Sequence, residues 1–386
     1  MKNYKFIILT LFSLILAITL GLLINTLADS SSIDSSLYTK SNTVVVVNIP
    51  PKPEPPRHLP TPKPLRAIYM SSWVAGSPDF RDKVIKIADE TEINSIVVDV
   101  KDSTGVVSFL MDDPLIKKIN PFEDRIPDID KFITKLHDKN IYVIARVAVF
   151  EDPILAKARP DLAVKRRSDG KTWKDRKGLS WTDMGSKEVW DYNIAVAKGA
   201  YEAGFDEINF DYIRFPSDGD MNDIAYTSLE GKKLNRPEEL RIFFHYLNEK
   251  MKEKDIPISA DLFGMTTTNT DDLNIGQVLE NAIPYFDYIS PMVYPSHYPN
   301  NFNGYKNPAA VPYELIKFVM GQGVNRMIAA SSSPDKLRPW LQDFNLGAVY
   351  TADLVRAQIK ATYDVGLSSW MLWSPSNKYT VGALEK

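Results

Sequence analysis

From Leu65 onward, short β-branched runs alternate with helical stretches, and this alternation restricts the fold more than any other feature of the sequence. Repeated βα units bring parallel strands into one sheet with helices on its outer side. Strands are predicted at Arg66–Ser72, Ser95–Asp102, Ile141–Phe150, Glu207–Phe215, Pro257–Met265, Tyr288–Tyr294, Arg326–Ser332 and Leu367–Trp373. Helices are predicted near Asp79–Thr91, Ile129–Lys139, Ser186–Ala203 and Arg236–Lys254. Eight strands in about 320 residues suit an α/β chain folded as a single (β/α)8 TIM barrel. A doubly wound open sheet would bring a glycine-rich phosphate loop after its first strand, and none is found there. The chain stops soon after the eighth strand, so a short or missing last helix is expected.

Two segments precede the barrel. Lys2 and Lys5 lead into an uncharged apolar run from Phe6 to about Ile24. A run of roughly 18 or more apolar residues spans a bilayer, whereas the core of a cleaved signal is about 7–15. The length favours a membrane anchor, while Thr26-Leu27-Ala28 offers a cleavage site for a signal peptide. Basic residues stay on the cytoplasmic side, so the chain from Asp29 onward is expected to lie outside. Residues 1–28 are therefore assigned as signal anchor or signal peptide, 29–64 as a Ser/Pro-rich tether, and 65–386 as the barrel. The proline cluster Pro50–Pro64 should make the tether extended and semi-rigid.

Composition excludes several chemistries. The 386 residues carry a net charge of −3, which gives no basic face for nucleic acid. With no cysteine there are no disulfides, thiolate metal sites or cysteine nucleophiles. The four histidines (His58, His137, His245, His297) share no ligand-like spacing, so no metal and no cofactor is expected.

The predicted strand ends are rich in carboxylates, arginines and aromatics. Within YEAGFDEINFDYIRFP (201–216), Glu207, Asn209 and Asp211 alternate along one strand and share a face. Arg214 follows. Strand two offers Asp99 and Lys101 on one face, then Asp102; strand three offers Arg146; strand five offers Asp261 with Ser259. Strand six ends at Tyr294 with His297 beyond it, and strand eight carries Trp370 and Trp373. Sugars present apolar faces to aromatics and hydroxyls to carboxylates, so a carbohydrate site is indicated. Asp211 and Asp261 lie near the ends of consecutive strands, about 4.8 Å apart in a barrel. Two carboxylates so close resist double ionisation, and one can then serve as an acid. Asp99 and Glu207 are the substitutes. Arg146, Arg214, Tyr294, His297, Trp370 and Trp373 are the candidate substrate contacts. The loop Glu151–Asp183 interleaves basic residues (Arg159, Lys165, Arg166, Arg167, Lys171, Lys174, Arg176 and Lys177 among them) with Trp173 and Trp181, and contact with an anionic polysaccharide is expected of it.

These residues resemble the glycosyl hydrolase family first catalogued as a domain of unknown function, the DUF4015 group. The resemblance covers about Leu65 to Pro375 and rests on IVVDVKDSTG (96–105), FDEINFDYIRFPSDG (205–219) and ISPMVYPSHY (289–298). It implies a TIM barrel akin to the α-amylase superfamily, with Asp211 as the strand-four nucleophile. The acid of that superfamily is a strand-five glutamate, and here the strand offers Asp261. A more distant similarity is to family 18 chitinases. Their strand-four pattern aligns with Phe205, Asp206, Asn209 and Asp211, but its catalytic glutamate falls on Ile213.

The expected function is an extracytoplasmic, membrane-tethered glycoside hydrolase acting on a cell-envelope or secreted polysaccharide. A catalytically silent carbohydrate-binding barrel is the alternative, and a metal-dependent polysaccharide hydrolase or deacetylase is a third possibility. Oligomeric state is not specified by these features.

Overall fold

The computed structural model describes residues 56–229, 232 and 234–386. The anchor and most of the tether expected from the sequence lie outside the described residues. Among the described residues no helix is long and apolar enough to cross a membrane.

Eight parallel strands close into a barrel in simple chain order: β1 (Arg66–Met70), β2 (Ser95–Lys101), β3 (Tyr142–Ala148), β4 (Glu207–Asp211), β5 (Ile258–Phe263), β6 (Tyr288–Met292), β7 (Trp340–Gln342) and β8 (Trp370–Trp373). β8 pairs with β1 to complete the ring. Longer helices cover the outside: α1 (Pro78–Glu90), α2 (Ile129–His137), α3 (Lys187–Glu202), α4 (Arg236–Lys252), α5 (Pro312–Ala329) and α6 (Ala352–Asp364). Their starts are written locally. Asn235 caps α4 by accepting from Glu238 N at 3.0 Å, and the Glu238 carboxylate accepts from Asn235 N in return.

One strand is not where the sequence points. Arg326–Ala329 forms the last turn of α5, and the seventh strand is the three-residue Trp340–Gln342. A short apolar run reads equally as strand or buried helix. Met327 is buried while Ile328 is 60% exposed. The expected short ending after β8 is present as a single turn, Val381–Ala383.

Side chains alternate between two cores. Outward residues such as Val98, Val147, Ile208, Phe210 and Leu372 pack under the helices. Inward residues Ala67, Tyr69, Val97, Tyr142, Ile144, Trp340 and Met371 fill the barrel.

A segment read as tether seals the floor, the end at which the strands begin. Leu59 packs against the inner core, and its amide donates to Asp206 Oδ1 at 2.6 Å. The His58 ring stacks on Tyr201 at 3.9 Å, and Thr61 Oγ1 lies 3.0 Å from the Tyr142 hydroxyl. The folded unit thus begins ahead of Leu65. The other end of the chain returns to the same side: Glu92 N donates to Glu385 O at 2.8 Å, and Arg66 pairs with Glu92 at 2.9 Å.

Candidate active site

The inward positions nearest the strand ends are Tyr69, Asp99, Arg146, Asp211, Asp261 and Trp373. β-Strand register makes this grouping. Asp99 pairs with Arg146, and Arg146 with Asn209, across neighbouring strands. Asn209 pairs with Ser259, so Asp211 and Asp261, each two residues further on, share one layer.

Arg146 organises the layer. Its guanidinium donates to Asp99 Oδ1 at 2.6 Å and to Asp211 Oδ2, while its Nε stands 3.8 Å from Asp261 Oδ2. Asp211 Oδ1 accepts from the Tyr212 amide at 2.5 Å. Tyr212 has φ +52°, a conformation that costs a side-chain-bearing residue energy and is concentrated at functional sites. Asp99 also accepts from the Tyr69 hydroxyl, and burial raises its titration against the pull of Arg146 and Tyr69.

Asp261 differs from Asp211 in its setting. Its Oδ1 accepts from Asn209 Nδ2 at 2.9 Å and from the Trp340 indole at 2.8 Å. Burial, with the neighbouring Asp211 charge, pushes its carboxyl up to about 8. Burial thus favours the protonated form of Asp261. Aromatic rings wall this centre. Tyr69 stacks on Trp373 at 3.9 Å, the Arg146 guanidinium lies 5.1 Å over Trp373, and Tyr294 contacts His297 and Phe344 edge-on. His297 lies on the rim, where partial cover of its ring lowers its titration.

Two residues expected here, Glu207 and Trp370, lie elsewhere, and so does Lys101, expected on the face of Asp99. Glu207 sits at the floor, two strand positions below Asn209, where it pairs with Arg338 at 2.9 Å and accepts from Tyr142. Alternation gave it the right face but not the right height. Trp370 faces outward, its indole donating to the Tyr363 hydroxyl of α6 at 3.0 Å. Lys101 also points outward, because a bulge between Asp99 and Lys101 shifts the register by one residue. Its ammonium meets Asp152 at 2.7 Å, the Ala148 carbonyl at 2.7 Å and Asn193 of α3 at 3.0 Å. Burial lowers its titration, with Asp152 opposing.

The loop after β3 is folded back on itself. Lys165–Arg166 pairs with Ile224–Ala225 in a small antiparallel ribbon. Trp173 and Trp181 are 1% and 2% exposed, their indoles donating to the Asp220 carbonyl and to Asp175. Gly219, at φ +102°, leaves room for Trp173: a Cβ there would come within 2.5 Å of the ring. Arg159 and Arg166 are engaged by neighbouring carboxylates. The tryptophans expected to meet a polymer are thus part of the loop's own core. Arg214 lies over Trp181 and Tyr212, beside the centre.

Two mouth residues were missed. Trp73 follows β1 and is 64% exposed, with the Arg125 guanidinium under one face at 4.4 Å. Arg125 is itself fixed by Asp102 at 2.6 Å. Glu151 follows β3 and is 3% exposed. Burial, aided by Asp175 and Asp211, pushes its carboxyl up to about 7. Neither lies on a strand face, so alternation gave no signal for them. Among the described residues no group of three or more His, Asp or Glu side chains is arranged to hold a metal ion.

The geometry is that of a carboxylate centre at the C-terminal mouth of a parallel barrel. The solved structures with this fold include the glycoside hydrolase domain of PgaB (BpsB) from Bordetella bronchiseptica, at 13% identity and TM-score 0.60, covering 81% of this chain and 94% of that one. They include TtGalA, an α-galactosidase from Thermus thermophilus, at 14% identity and TM-score 0.51, covering 83% of this chain and 60% of that one. A hypothetical protein from Ruminiclostridium thermocellum is 36% identical over 50% of this chain and 96% of its own, with TM-score 0.46. No curated protein sequence matches. The model of the family described as "Putative glycosyl hydrolase domain" (DUF4015) matches residues 67–379. The chain belongs to this glycosyl hydrolase domain family.

Proposed function

We propose that the protein is a glycoside hydrolase whose mouth carboxylates cleave a cell-envelope or secreted polysaccharide outside the cytoplasm. The observation that carries this reading is the unequal setting of Asp211 and of the two buried carboxyls beside it, Asp261 and Glu151. Arg146 and the Tyr212 amide donate to Asp211, while burial raises the titration of Asp261 and of Glu151. Hydrolysis of a glycoside needs that inequality: one carboxylate attacks the anomeric carbon or activates water, and an acid protonates the leaving oxygen. Asp211 takes the first role. Exposed Trp73 at the rim suits the apolar face of a sugar ring, and Tyr294, His297, Trp373 and Arg214 line the approach. The apolar run Phe6–Ile24 supports attachment to a membrane with the barrel outside.

A binding-only barrel is the second reading. It is favoured by the burial of all three carboxyls, Asp211, Glu151 and Asp261 being 5%, 3% and 1% exposed, since a binding module needs the rim aromatics but not the carboxylates. The two separate in one experiment. The purified full chain is incubated with a panel of envelope polysaccharides, and reducing ends are counted beside Asp211→Asn. Release that the substitution abolishes supports the hydrolase. Retention of a polymer by both proteins with no release supports the binding module.

A further inference from the structure

We propose that Glu151 is the proton donor of this centre, protonating the departing oxygen of a glycoside held between it and Asp211. The inference rests on the hydrolase reading above and assigns the role for which the sequence pointed to Asp261.

Position comes first. β3 and β4 stay hydrogen-bonded past the end of the ladder: Val149 N donates to the Asp211 carbonyl at 2.9 Å, and Phe150 N to the Tyr212 carbonyl at 3.3 Å. Glu151 is the next residue, and its backbone bridges Trp181. It is therefore carried on the same rigid exit as Asp211, one step further toward the rim. Lys101 pins that exit from below through the Ala148 and Val149 carbonyls and through Asp152.

The side chain is uncommitted. Glu151 is 97% covered, yet its Oε1 has no hydrogen-bond partner among the described residues. A buried carboxyl oxygen without a partner is costly unless protonation or a ligand satisfies it. The other acids near Asp211 are engaged. Asp99 is taken by Arg146 and Tyr69, and Asp261 Oδ1 by Asn209 and Trp340. The surroundings of Glu151 also keep its proton available near neutrality. Burial, Asp175 and Asp211 raise its titration, and Arg214 and Lys177 oppose them.

The step balances. The bond from the anomeric carbon to the leaving oxygen breaks, and the Glu151 proton passes to that oxygen. The new bond to the anomeric carbon comes from the Asp211 carboxylate, or from a water whose proton Asp211 accepts. In the first case a water then displaces Asp211 and returns its proton to Glu151. In the second, Glu151 is reprotonated from solvent and Asp211 loses its proton there.

The test compares wild type, Glu151→Gln and Asp211→Asn as full chains. The probes are the polysaccharide panel together with 4-nitrophenyl and 2,4-dinitrophenyl glycosides of galactose, glucose and N-acetylglucosamine in both anomers. Glu151→Gln should lose about 10²–10⁴-fold on polymers and 4-nitrophenyl glycosides, the range for general acid catalysis. It should lose far less on 2,4-dinitrophenyl glycosides, whose leaving group needs no proton. The basic limb of the pH–rate profile near 7 should vanish with the substitution. Equal loss on both leaving groups, or an unchanged basic limb, overturns the proposal. Cleavage abolished by Asp211→Asn but intact in Glu151→Gln overturns the donor role alone. No cleavage of any probe by the wild type overturns the hydrolase reading and the donor role with it.

Discussion

Arg146 reaches from β3 to Asp211 on β4 and, through its other terminal nitrogen, to Asp99 on β2. One cation thus holds two carboxylates of a buried layer in place. Arg146→Met should leave both uncompensated and destabilise the barrel by about 3–5 kcal/mol, the cost of breaking a buried pair from one side. Denaturant midpoints would register it, and Arg146→Met combined with Asp99→Asn should recover part of the loss.

Asp211→Asn should abolish hydrolysis by about 10²–10⁴-fold while leaving the melting temperature within a few degrees. It should also lower the titrations of Glu151 and Asp261, since the Asp211 charge raises both. Carboxyl-carbon NMR titration of the two proteins measures that shift.

The stability contributed by Glu151 and Asp261 should fall as pH rises from about 4 to 8. Glu151 and Asp261 have folded-state values raised to about 7 and about 8, above their unfolded values near 4. Between those limits the folded protein binds more protons than the unfolded chain, so added base favours unfolding. In thermal melts Asp261→Asn should flatten the decline, most clearly above pH 6. A decline of unchanged steepness would contradict the assignment.

Glu207 and Arg338 pair at the floor, away from the proposed centre at Asp211. Glu207→Gln should cost stability, on the order of 1–3 kcal/mol for a lost buried acceptor of charge, and leave kcat per folded molecule unchanged. Chemical denaturation beside an active-site titration separates the two effects.

Trp73→Ala should raise KM for polymers about 10-fold, with kcat and melting temperature unchanged. Loss of one exposed ring outside the core moves stability by about 0.5 kcal/mol or less.

The architecture was legible because periodicity reports burial. Strands such as Ser95–Lys101 and Tyr142–Ala148 are buried on both faces and read as continuous apolar runs. Asp99, Arg146, Asp211 and Asp261 were legible because alternation assigns a face. It does not assign height or survive a bulge, which is why Glu207 lies at the floor although it shares the face of Asp211, and why Lys101 points outward although Asp99 points inward. The three-residue β7 was hidden because Trp340–Gln342 is too short to show a period. Glu151 was hidden for a different reason. It lies past the strand end, where its backbone bridges Trp181, a contact 30 residues away in sequence.

The floor has a practical consequence. His58–Pro64 enters beneath the barrel, and Glu385 returns to Glu92 on that same side, opposite Asp211. A solid support or fusion partner joined at either end of the folded unit therefore sits behind the barrel. A polymer too large to diffuse into a cleft can still be presented to the mouth face-on, as it would be to a tool held by its handle.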